Sequence, residues 1–180
     1  MLHNGGYQFE ALSLETSEII DENLNCFEQS LYLACLKMRH FEQVHGLKYG
    51  DFKIALTCDT MVEFDGQTLG KPKSVNQALD WLISYSNKKQ FVHTGCCIMN
   101  LDGSGEKQSW AETTEVHFKT INRADAQNYL DRQKDALDKA GAYGLQDKHF
   151  TFVKKIAGSY SNVVGLPMES LKANLAKWSF

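Results

Sequence analysis

An α/β or mixed α+β fold with some antiparallel pairing is what this sequence predicts, and three observations carry the prediction. Helical periodicity runs through 22–45, where Leu24, Phe27, Leu31, Cys35, Met38 and Phe41 recur every three or four residues. Apolar runs at 52–58, 90–99, 110–119 and 149–156 read as strands set between helical segments. Asp65-Gly66 marks a tight hairpin, because both residues tolerate the positive φ of a two-residue turn.

Taken in order, 7–14 (YQFEALSL) alternates apolar and polar residues and is expected to be a strand. The long helix follows, with Gly46 as its stop. Phe52 to Thr57 reads as a buried strand that delivers Asp59 at its C-terminal end, one hairpin away from Lys71. Ser74 opens a second helix to about 85, with Gln77 at capping-box spacing and Ala78, Leu79 and Leu82 facing inward. The strands at 90–99 and 110–119 are joined by Leu101-Asp102-Gly103-Ser104-Gly105, which has strong turn chemistry. Asn122 caps a third helix to about 133, and Pro167 opens a last one through Leu175. No repeat or long linker interrupts the chain, so 1–180 reads as one domain, with 120–140 as a candidate small lobe.

Composition narrows the function. A net charge of −3 argues against a broad nucleic-acid surface but leaves room for a small phosphate-bearing ligand held by a few local lysines. The five cysteines include no C-x-x-C pair, so spacing suggests neither a disulfide framework nor a zinc site. A reducing, cytoplasmic compartment is the expectation. Nothing approaches a membrane span or a signal peptide. The six histidines lack metal-ligand spacing, and His93 and His117 read as ordinary strand residues.

Asp59 and Lys71 are the residues with most chemical content. A carboxylate and a lysine on rigid elements hold a metal and a phosphate together; equally, Asp59 caps a turn beside a solvated lysine. Spacing leaves both readings open.

Four runs decide more when taken together. Thr57-Cys58-Asp59-Thr60-Met61-Val62 with Gly70-Lys71-Pro72, Thr114-Glu115-Val116-His117-Phe118, Asp138 through Gln146 (DKAGAYGLQ) and Ser159 through Pro167 (SYSNVVGLP) match the Maf family of nucleoside triphosphate pyrophosphatases in order and spacing. The chain resembles that family over essentially its whole length. The resemblance implies a Maf/ITPase-like mixed twisted sheet with flanking helices, a homodimer, and hydrolysis of a nucleoside triphosphate to the monophosphate and pyrophosphate with Mg or Mn. The run ending in Gln146 resembles the dTTP/UTP-type subfamily. By the same resemblance Asp59 is the catalytic and metal-holding acid. Glu22, closing Ile20-Asp21-Glu22, is a second metal ligand. Lys37 and Lys71 grip phosphate, and Gln146 lies near the nucleotide.

These residue types suit the chemistry. Carboxylates are hard donors for such cations, lysines supply point charges, and a glutamine carries both a donor and an acceptor for a pyrimidine edge. Glu115 reads as a metal ligand or an ordinary strand carboxylate. Gly141 and Gly144 are expected to allow a tight backbone path, and Ser161-Asn162 to cap the last helix in preference to reaching the site. The family also opens with a strand and a Ser-x-Ser-x-x-Arg loop that do not match here, so an N-terminal strand and phosphate loop are expected to be missing. The alternative function is a catalytically impaired nucleotide-binding or interaction protein of the same fold.

Overall fold

A computed structural model of the chain describes residues 1–14, 21 and 23–178. Five strands form one sheet in the order β2-β1-β3-β4-β5. They are β1 (Ile54–Phe64), β2 (Gln67–Leu69), β3 (Lys89–Asn100), β4 (Lys107–Phe118) and β5 (Val153–Ala157). The fold is mixed α/β, and every pairing within the described sheet is antiparallel.

The predicted hairpin forms as expected. Asp65 and Gly66 take φ of 48° and 76°, the left-handed pair that a two-residue turn between right-twisted strands needs. The strand before it is longer than its sequence suggests, however. β1 continues unbroken through Asp59, which therefore sits in mid-strand rather than at a strand end. A charge is tolerated there because α1 (Cys26–His45) brings a lysine onto it.

α1 begins at Cys26, four residues later than periodicity predicts, because Asn25 is its cap. The Asn25 side chain accepts from Glu28 N, and the Glu28 carboxylate accepts from Asn25 N, which satisfies two otherwise orphaned donors. Asn25→Ala is expected to cost about 1 kcal/mol. Thermal denaturation should then show a midpoint roughly 2–4 °C lower, whereas an unchanged midpoint would mean the helix start is held by other contacts. Residues 7–14 form no strand. They are largely exposed, and no described strand lies beside them to accept their ladder bonds.

Side-chain alternation sorts the sheet into two faces. Ala55, Cys97 and Met99 pack against Met38 and Phe41, so α1 covers one face. The other face carries Val62, Val92, Val116 and Phe118, which form the largest core with α2 (Val75–Ser84) and α3 (Arg123–Arg132). Ser74 and Asn122 cap these two helices as expected, although the Gln77 side chain turns to Lys73 N instead of closing a reciprocal box.

On the same face lie α4 (Tyr160–Val163) and α5 (Met168–Leu175). Buried Asn162 donates to Val92 O and Thr114 Oγ1, both at 3.0 Å, and Trp110 donates to Ser170 Oγ at 3.0 Å. Ser161 Oγ accepts from Met168 N at 2.9 Å, so the capping expected of Ser161 is present; Asn162 instead ties α4 to the sheet.

α1 lies unusually close to its face. A Cβ on Gly95, in the middle of β3, would stand 2.2 Å from Ser30 O and 2.5 Å from Leu31 Cα. The missing side chain is what lets the helix backbone settle onto the sheet.

Candidate active site

Asp59 and Lys37 meet at the α1–sheet interface. Lys37 Nζ lies 2.5 Å from Asp59 Oδ1, with the side chains 24% and 12% exposed. The pair is thus mostly shielded, and its hydrogen bond is charge-assisted. Two residues earlier on the same face, Thr57 Oγ1 donates to Ala34 O at 2.7 Å, fixing the helix turn beside Lys37. The lysine that closes on Asp59 is thus the one from the helix, not Lys71.

Thr60, the next residue, points to the opposite face and helps line a cavity of about 310 Å³. Its walls come from Val62, Val92, Tyr143, Gly144, Gln146 and Gly165. Thr60 Oγ1 shares a hydrogen bond with Thr94 Oγ1 at 2.9 Å, and Thr94 donates to Asn162 O at 3.0 Å. The Asp59 carboxylate and the cavity therefore occupy two faces of one strand. Between them lies the outer edge of β1. No described strand pairs with that edge between Ile54 and Met61.

The segment carrying Gln146 is held by buried polar groups. Tyr85 donates to Gly141 O at 3.1 Å, and Tyr143 donates to Gln90 Oε1 at 2.9 Å. Gly141 takes a φ of 72°, so the tight path expected there is real; at Gly144 the reason is different, since a Cβ would stand 3.1 Å from the Asp147 carboxylate. Asp147 organises the turn. It accepts from Lys139 Nζ at 2.5 Å, Tyr129 OH at 2.6 Å and Gly144 N at 3.0 Å. Burial pulls the Lys139 ammonium down, but Asp147 and Asp135 outweigh it and leave its pKa above the usual lysine value. Sequence reading overlooked Asp147, although it follows Gln146 directly and stands three residues after Gly144, the spacing of a turn.

Lys71 is exposed on the loop after β2. Its loop is tied to the Gln146 segment, because Gly141 N donates to Gly70 O at 3.1 Å. The structure thus brings Lys37 onto Asp59 and ties the loop that carries Lys71 to the segment that carries Gln146. Glu22 lies outside the described residues. Glu115 is engaged by Lys89 and His117, each at 2.9 Å; the Lys89 bond first, then His117, holds its carboxyl below the usual range.

The described residues contain another cluster that spacing did not reveal. Cys26 Sγ, the Glu63 carboxylate and a His93 ring nitrogen all lie within 4.8 Å of one another. Burial, more than it is opposed by Glu63, pulls the His93 imidazole below its usual pKa; burial pushes the Cys26 thiol up. These residues come from α1, β1 and β3, so only the fold unites them.

An antiparallel sheet backed by a long helix thus carries an acid–lysine pair on one face of β1 and a cavity on the other, on a mixed α/β scaffold. The chain matches the family described as Maf-like protein over residues 1–178, and it belongs to that family. It is 33% identical over 178 residues to the dTTP/UTP pyrophosphatase of Bdellovibrio bacteriovorus, covering 99% of this chain and 92% of that protein. The dTTP/UTP pyrophosphatase of Carboxydothermus hydrogenoformans is 35% identical, with 96% and 89% covered. That of Alkaliphilus oremlandii is 36% identical, with 95% and 85% covered.

Proposed function

We propose that this chain hydrolyses dTTP, UTP and related modified nucleotides to the monophosphate and pyrophosphate, as a house-cleaning enzyme. The observation that carries the reading is the Lys37–Asp59 ion pair one residue from Thr60 in the wall of the Gln146 cavity. The names of the relatives, all dTTP/UTP pyrophosphatases, support the substrate class. We further propose a single cytoplasmic Maf-like domain acting as a homodimer; no helix among the described residues is long and apolar enough to cross a membrane.

In this reading the base enters the cavity and meets Gln146, whose amide offers a donor and an acceptor. The phosphates pass around the outer edge of β1 toward Asp59, with Lys37 and Lys71 as charges along the path. A water oxygen bonds to the α-phosphorus while the α–β bridging P–O bond breaks. Pyrophosphate leaves with the electron pair, and the water proton is released to solvent. Asp59 orients that water, and Lys37 offsets negative charge that builds on the phosphate oxygens.

A divalent Mg or Mn ion fits this donor set. Such ions take one or two carboxylates and complete their shell with water and substrate phosphate, and the Asp59 carboxylate is a hard oxygen donor of that kind. Asp59 and Glu22 would hold it. When bound, the ion supplies charge neutralisation on the phosphates.

The test is pyrophosphate release with Mg over a panel of pyrimidine and purine triphosphates. dTTP and UTP should lead by at least roughly tenfold, and Gln146→Ala should shrink that lead by about tenfold, the worth of one lost recognition bond. No turnover of any triphosphate, or a preference for purines, would sink the reading.

A further inference from the structure

We propose that Cys26, Glu63 and His93 form a binding site for a zinc-type transition-metal ion, separate from the catalytic centre. The three ligand atoms lie within 4.8 Å of one another and come from the first residue of α1, the end of β1 and the start of β3. Thiolate, imidazole and carboxylate together are a borderline donor set that favours zinc, cobalt or similar ions over magnesium.

His93 supplies the independent observation. Its side chain is 7% exposed, and its Nε2 is buried without a hydrogen-bond partner. That atom lies 3.4 Å from Glu63 Oε2. The other ring nitrogen, Nδ1, is engaged by Thr113 Oγ1 at 2.9 Å. In the tautomer that donates Nδ1–H to Thr113, the Nε2 lone pair faces the Glu63 carboxylate, an arrangement that a cation between them relieves. The Thr113 contact is also the outer-shell bond that orients a ligating histidine.

The surroundings suit a metal site. Cys26 packs with Leu33 and Met61, and the rings of Phe27 and Phe91 flank His93 at 5.9 and 6.3 Å. Zinc–ligand bonds of about 2.0–2.3 Å require the ligand atoms to draw in by roughly 1 Å from their widest spacing. Glu63, 29% exposed, has room to turn inward and leaves a water-accessible fourth position. The Cys26 thiol gives its proton to solvent as the metal–sulfur bond forms.

The site is distinct from that at Asp59. Glu63 lies four residues along the same face of β1, about 13 Å away at strand rise. It would clip the start of α1 to the sheet, whatever reaction the chain carries out.

Titrating the purified, metal-stripped protein with Co²⁺ tests the proposal directly. A single equivalent should bind with a thiolate-to-cobalt charge-transfer band in the near ultraviolet, displaced by Zn²⁺ and unmoved by excess Mg²⁺. The band should vanish in Cys26→Ser and His93→Gln, and persist in Cys35→Ser. In Glu63→Gln, a change at a partly exposed residue that leaves the core intact, cobalt affinity should fall at least roughly tenfold, the worth of a charged ligand. Absence of the band in the wild-type chain overturns the proposal. So does its survival in Cys26→Ser, or an affinity within about twofold of wild type in Glu63→Gln.

Discussion

Asp59→Asn should lose two to three orders of magnitude in pyrophosphate release, as expected when a group aimed at the reacting centre loses its charge. The substitution keeps the shape of the side chain and one oxygen toward Lys37, so packing at the α1–sheet interface survives. What disappears is the negative charge that orients water and holds a cation. The Lys37 ammonium, 24% exposed, then loses the charge of its Asp59 partner. Solvent screens part of that loss, so a stability cost of about 1–2 kcal/mol is expected rather than unfolding. Steady-state kinetics beside thermal denaturation separate the two effects. Activity within about tenfold of wild type in the folded variant would remove Asp59 from the catalytic centre.

Gly95→Ala should lower the midpoint of thermal unfolding by roughly 6–12 °C. The new Cβ would stand 2.2 Å from Ser30 O, 2.4 Å from Ser30 C and 2.5 Å from Leu31 Cα. All three are backbone atoms of a capped helix, and none swings aside as a side-chain end does. Either α1 rises from the sheet or β3 bows away from it. Overpacking of this kind costs about 3 kcal/mol at the upper end of its usual range, and each kcal/mol moves the midpoint about 2–4 °C in a domain of this size. Differential scanning calorimetry measures the shift directly. A midpoint within about 2 °C of wild type would show that the interface yields more easily than its geometry implies.

Local chemistry accounts for what the sequence made legible. The Asp65-Gly66 hairpin, the Ser74 and Asn122 caps and the α1 periodicity each depend on neighbours a few residues away, and each is present. Residues 7–14 show the limit of that reasoning, since alternation names a strand only where a partner strand waits beside it. Asp59 shows the same limit from the other side. A polar residue looks like a strand end until a lysine 22 positions earlier in the chain arrives to match it. Family likeness singles out Lys37, Asp59, Lys71 and Gln146, yet only the fold sets the Lys37–Asp59 pair and the cavity lined by Gln146 on opposite faces of β1. Cys26, Glu63 and His93 had no signal at all, because three elements must assemble before their side chains converge.

The hollow at Gly95 also sets how far apart Lys37 and Asp59 stand. Asp59 lies directly across from Gly95 in the β1–β3 ladder, and the turn at Ser30-Leu31 rests in the hollow. Lys37 is two helical turns further along, about 10 Å, and its side chain leans back toward the helix start. A backbone indentation therefore acts as the zero mark of a ruler whose reading is the gap between ammonium and carboxylate. Slide the helix by one residue and the mark is lost, because the neighbouring β3 positions on that face, His93 and Cys97, both carry side chains. The spacing of these two charges is thus a dimension of the scaffold, fixed by an atom that glycine omits.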